Sequence, residues 1–108
     1  MALLIILFDR PADLDGSGYR ERSRNWIAEL TRLDGFVEFS AQWNALRMSP
    51  NTMVLIRLSS PEAAIRAISD PALALMFDDM RAHGCHNIMA HPFKNSDLIP
   101  APIIKEVH

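Results

Sequence analysis

Cys85 is the only cysteine in a chain of 108 residues, so no internal disulfide can form and nothing points to an oxidising compartment. Charge of one sign is also scarce. Eleven Lys and Arg stand against 13 Asp and Glu, a formal net charge of −2, which gives no electrostatic reason to expect nucleic acid or an anionic membrane as partner. No apolar run approaches the length of a membrane-spanning helix. The opening run Leu3 to Phe8 has no basic flank and no small-residue cleavage site, and it stops at Asp9-Arg10, so it reads as a buried strand rather than a leader. No low-complexity stretch separates two cores, and nucleophile-elbow, P-loop, dinucleotide and metalloprotease motifs are all missing. These absences leave one small domain, expected in the cytoplasm, with a small molecule as its expected ligand.

What is present is apolar patterning. Leu3 to Phe8 is apolar at every position, as in a central strand covered on both faces. Turn-forming residues fill Pro11 to Gly18, and Tyr19, Ser23, Trp26, Ile27, Leu30 and Leu33 then recur at helical steps, with Asp34-Gly35 as the stop. Phe36 to Asn44 alternates, placing Val37, Phe39, Ala41 and Trp43 opposite Glu38, Ser40, Gln42 and Asn44, which suits an edge strand. Met48-Ser49-Pro50-Asn51 turns the chain into a second apolar strand, Thr52 to Leu58, interrupted by the charge of Arg57. Ser59-Ser60-Pro61-Glu62 opens a helix, with Ser59 and Glu62 spaced as a capping box. Asp70-Pro71 breaks that helix and starts another, and Gly84 closes it. Asn87 to Lys94 is the last strand, with Met89, His91 and Phe93 on one face and Ile88 and Ala90 on the other.

This βαββαβ order predicts an α+β, ferredoxin-like domain over residues 1–96: a four-stranded antiparallel sheet with both helices, the second one broken, on one face. Two strands apolar on both sides cannot be covered by one helical layer, so a homodimer stacked sheet to sheet is expected. Residues 97–108 form a tail whose Leu98, Ile99, Ile103, Ile104 and Val107 are expected to pack on their own or the partner subunit.

The element order, together with the run from Ser60-Pro61-Glu62-Ala63-Ala64 through Asp70-Pro71 to Met80-Arg81-Ala82-His83-Gly84, resembles the dimeric α/β barrel superfamily over roughly residues 1 to 94. The resemblance is nearest to the antibiotic-biosynthesis monooxygenase branch. It implies ferredoxin-like monomers joined through their sheets and, as activity, a cofactor-independent monooxygenase; the alternative is a non-catalytic ligand-binding or stress-related dimer. Members of the haem-degrading type carry an Asn in the first strand and a Trp and a His in the second helix. Only His83 matches here, so no cofactor is expected.

Arg57 and His91 are the candidate catalytic residues. A cation in an apolar strand can anchor a carboxylate or phenolate, and an imidazole on an apolar face can deprotonate an acidic phenol. Glu38, opposite Arg57 in the hairpin, Trp43 and His83 are the expected contacts to a small aromatic or apolar ligand. His83, Cys85, His86 and His91 form the one cluster of soft ligands, but His83 and His86 flank a helix end where their side chains diverge, and no metal site is expected.

Overall fold

The computed structural model describes residues 1–106. They form β1 (Ala2–Asp9), α1 (Tyr19–Thr31), β2 (Phe36–Trp43), β3 (Thr52–Leu58), α2 (Pro61–Ile68), α3 (Pro71–Ala82) and β4 (His86–Lys94). The sheet is antiparallel throughout in the order β2-β3-β1-β4, so the two doubly apolar strands are central and β2 lies at an edge. This is the expected α+β, ferredoxin-like arrangement.

Directly paired residues on antiparallel strands share a face. Leu4, Ile6 and Phe8 of β1 and Val54, Ile56 and Leu58 of β3 are buried under the helices, against Trp26 and Leu30 of α1, Ala64 of α2, and Leu73, Met76 and Met80 of α3. The alternate set looks the other way. Leu3, Ile5 and Leu7 pair with Arg57, Leu55 and Met53 on one side and with Phe93, His91 and Met89 on the other, and no element covers them. Phe93 and Met89 are about half exposed on this bare face.

Local details explain where elements start and stop. Ser60, not Ser59, caps α2, its Oγ accepting from Ala63 N at 3.1 Å with Pro61 as the first helical residue, so the expected Ser59–Glu62 capping box does not form. Asp70 caps α3 by accepting from Ala72 N at 2.9 Å, which is how the chain restarts a helix across the break at Pro71. α1 begins at Gly18, whose φ of 79° no side-chain cap accompanies. In β2 the register slips between Phe36 and Glu38, which pushes Val37 to the surface instead of leaving it on the face shared by Phe39, Ala41 and Trp43.

Residues 95–106 carry no helix or strand and are exposed, including Leu98, Ile99, Ile103 and Ile104. Val107, counted with these apolar residues in the sequence, lies outside the described residues. No helix among the described residues is long and apolar enough to cross a membrane.

Candidate functional site

The apolar stripe of α1 does not close completely on the sheet. Tyr19, Ser23, Trp26, Ile27 and Leu30 recur at helical spacing along one side of a cavity of about 210 Å³, and the sheet face forms the opposite wall, with Ile6, Phe39, Ala41, Thr52 and Val54. Met76 and Met80 of α3 also line it. The interior is buried, whereas Ile27, Ala41 and Trp43 are exposed, so the cavity opens between α1 and the edge strand β2. A second, shallower groove of about 420 Å³ runs between α1 and α3 along Arg22, Glu29 and Asp79.

Few polar groups reach the cavity wall. Tyr19 packs edge-on to Trp26 at 5.4 Å and tilted against Phe8 at 6.4 Å. Its hydroxyl makes no hydrogen bond to the described residues. Burial, with a smaller contribution from Cys85, pushes the phenol up to about 12 against a lowering by nearby Arg10, so near neutral pH it is a hydrogen-bond donor and not a base. The Cys85 thiol is likewise pushed up to about 11 by burial, which removes it as a nucleophile.

Two carboxylates brace the walls. Asp79 Oδ2 accepts from the Trp26 indole N–H at 2.8 Å and from Arg22 Nε and Nη2 at 2.9 and 2.7 Å. These bonds to Trp26 and Arg22 hold its carboxyl below the usual carboxylate range and tie α1 to α3. His83 Nδ1 donates to the Asp79 carbonyl at 2.8 Å, and its ring stands edge-on to Trp26 at 6.2 Å. At the end of β1, buried Asp9 accepts from Ser49 Oγ at 2.6 Å, Asn87 Nδ2 at 2.8 Å and Asn51 N at 2.9 Å; the first two lower its carboxyl most.

Asn51, held in this way, fixes Arg10. The Arg10 backbone N–H donates to Asn51 Oδ1 at 2.8 Å, and Arg10 Nη1 donates to Asn51 O at 2.8 Å and to Thr52 Oγ1 at 2.9 Å. The guanidinium lies over the Trp43 ring, 3.9 Å from its centroid. Arg10 was not among the residues expected from sequence, where Asp9-Arg10 marks only the end of a strand; its partners lie 41 and 42 positions away.

The structure separates the other candidates. Trp43 is on the cavity rim, and His83 stands behind Trp26 without lining the cavity. Arg57, His91 and Glu38 are on the bare face, on the far side of the sheet from the cavity, because alternation sends Val54 and Ile56 toward the helices and Arg57 away from them. Neither Arg57 nor His91 therefore lines the cavity under α1. On the bare face Arg57 Nε lies 3.6 Å from Glu38, beside a depression of about 100 Å³ also lined by Leu3, Ser40 and Leu55. His83 and His86 turn to different carboxylates, Asp79 and Asp9.

No family model and no curated protein matches the sequence. Solved structures do. A Deinococcus radiodurans protein named as an antibiotic biosynthesis monooxygenase candidate superposes with a TM-score of 0.68 at 11% identity, covering 98% of this chain and 100% of that one. SnoaB, a cofactor-independent oxygenase from Streptomyces nogalater, gives 0.64 at 15% identity over 93% and 97% of the two chains. A dimeric ferredoxin-like protein of unknown function from Jannaschia gives 0.61 at 13% identity over 86% and 97%. Identities this low speak to fold and not to activity. The chain thus has the ferredoxin-like fold of the antibiotic biosynthesis monooxygenase-like proteins.

Proposed function

We propose that this chain is a homodimeric small-molecule protein of the cofactor-independent oxygenase kind, which holds an electron-rich aromatic ligand between α1 and the sheet. The observation that carries the reading is the cavity itself. It is apolar and walled by Tyr19, Trp26 and Phe39, and Trp43 stands at its open end. A ring bound there is shielded from water, and the Tyr19 hydroxyl is a donor suited to a ligand oxygen, whereas Thr52 Oγ1 already donates to Asn51 Oδ1 and accepts from Arg10. In this chemistry the substrate itself reacts with dioxygen, and the protein supplies a dry site and fixed dipoles.

The bare face supports the dimer. Its centre, Ile5, Leu7, Leu55 and Met53, is a contiguous apolar surface on central strands, and a second copy stacked on it would also shield the Arg57–Glu38 pair and His91. The described part of the tail, residues 97–106, would then lie against the partner.

Dioxygen uptake on mixing the protein with a panel of naphthols and naphthohydroquinones tests the activity. The expected result is oxidation of at least one member faster than its autoxidation, abolished by Ala41→Trp, which fills the mouth. Binding of the panel without any acceleration would instead establish a non-catalytic ligand-binding protein, and unchanged oxidation in Ala41→Trp would move the chemistry out of this cavity.

A further inference from the structure

We propose that Arg10 is the specificity-determining residue of the cavity and that the natural ligand is an aromatic acid, its ring between α1 and the sheet and its carboxylate on the free edge of the guanidinium. The inference rests on the cavity reading above and adds the charge of the ligand.

Arg10 is fixed in place but not neutralised. Both N–H groups of Nη1 are used, one on Asn51 O and one on Thr52 Oγ1. Nε and Nη2 donate to nothing among the described residues, and these two nitrogens form the edge that matches a carboxylate in bidentate fashion. No carboxylate among the described residues forms an ion pair with Arg10. Its sequence neighbour Asp9 already accepts from Ser49, Asn51 and Asn87. Nine of the other ten Lys and Arg are exposed and most of the arginines on helices have an acidic partner, as in Arg20–Asp15 and Arg22–Asp79, whereas Arg10 is half-buried.

Its position relates the charge to the cavity. Thr52, which it donates to, and Trp43, which it covers, both line the cavity, and its field reaches the Tyr19 phenol on the opposite wall. A cation held against an aromatic rim and short of a counter-ion costs desolvation that a neutral ligand leaves unrelieved and an anionic one relieves. The anchor role that the sequence pattern assigned to Arg57 therefore falls to Arg10, because Arg57 already faces Glu38 on the bare side of the sheet.

The probes are the naphthoate anion and its neutral carboxamide, identical in ring and nearly so in shape, titrated by quenching of Trp26 and Trp43 fluorescence and confirmed by calorimetry. Wild-type protein should bind naphthoate about tenfold more tightly than naphthamide, equivalent to about 1.4 kcal/mol. Arg10→Met should erase that preference by weakening naphthoate alone, and Arg10→Lys, which keeps the charge but not the fork, should restore part of it. Equal affinities in the wild type, or an Arg10→Met variant that weakens both probes equally, would overturn the anchor and leave Arg10 a brace for Asn51 and Thr52. Ala41→Trp separates the two levels of the argument. If it abolishes binding of both probes while the wild type shows no preference, the cavity stands and the anchor falls; if neither probe binds the wild type, or Ala41→Trp alters neither, the cavity reading falls and the inference with it.

Discussion

Replacing Leu55 by Asp tests whether the bare face of the sheet is a subunit interface. Leu55 sits at the centre of that face, paired with Ile5 on β1 and Ser40 on β2. The described fold has a surface to bury: the chain exposes 7382 Å², against about 6,000 Å² for a compact monomer of its mass. Its radius of gyration is 15.1 Å, where about 13 Å is usual for this length. The excess, roughly 1,300 Å², is larger than the roughly 800 Å² that each partner contributes to an interface of standard size. Loss of a buried Leu costs roughly 1.5–3 kcal/mol per protomer. A two-fold dimer loses it twice, roughly 3–6 kcal/mol in all, before the penalty of two unpaired carboxylates is added. Leu55→Asp should therefore weaken dimerisation about a hundredfold to ten-thousandfold. Sedimentation velocity over a micromolar concentration series measures this directly, with circular dichroism as the check that the variant monomer is folded. A wild-type species that stays near 12.2 kDa across the series, or a Leu55→Asp protein that remains dimeric, would refute the placement of the interface.

Two further outcomes follow from the same contacts. Asp9 and Asp79 both ionise below the usual carboxylate range, the first through Ser49 and Asn87 and the second through Trp26 and Arg22, so the folded state binds fewer protons than the unfolded one. Their contribution is complete above about pH 4 and is lost as pH falls through the folded-state values; urea midpoints followed into acid should fall more steeply for wild type than for Asp9→Asn/Asp79→Asn, and parallel curves would sink this account. For the tail, trypsin should cleave after Lys94 slowly in the wild-type dimer and quickly in Leu55→Asp, and prompt cleavage of the dimer with no change in Tm would show that the partner does not hold it.

The architecture was legible because its signals are local. Helical spacing from Tyr19 to Leu30, the Asp70-Pro71 restart and the alternation of Met89, His91 and Phe93 each depend on a few neighbouring residues, and each element is found where its pattern lies. The direction in which β3 faces was not legible. Thr52 to Leu58 is apolar at both odd and even positions, so nothing in the strand says whether Val54 and Ile56 or Met53 and Leu55 meet the helices. Register alone decides, and it decides against Arg57 as a cavity residue. Arg10 was hidden for a different reason: its role depends on Asn51, Thr52 and Trp43, which the hairpin brings back across more than thirty residues.

Parity along the two central strands consequently divides the molecule into two sets of residues with separable effects. On β3 the even positions, Thr52 and Val54, line the cavity under α1, whereas the odd ones, Met53 and Leu55, face outward beside Leu7 and Ile5 of β1. A sheet that is apolar on one face only could not do both, since the helices would consume its single apolar surface and leave a solvated back. The double apolarity of Leu3 to Phe8 is thus the feature that lets a chain this small line a cavity on one side of its sheet and present a second apolar surface on the other. Substitutions on the outward set should act on assembly and those on the inward set on ligand binding, because the main chain of the sheet lies between them.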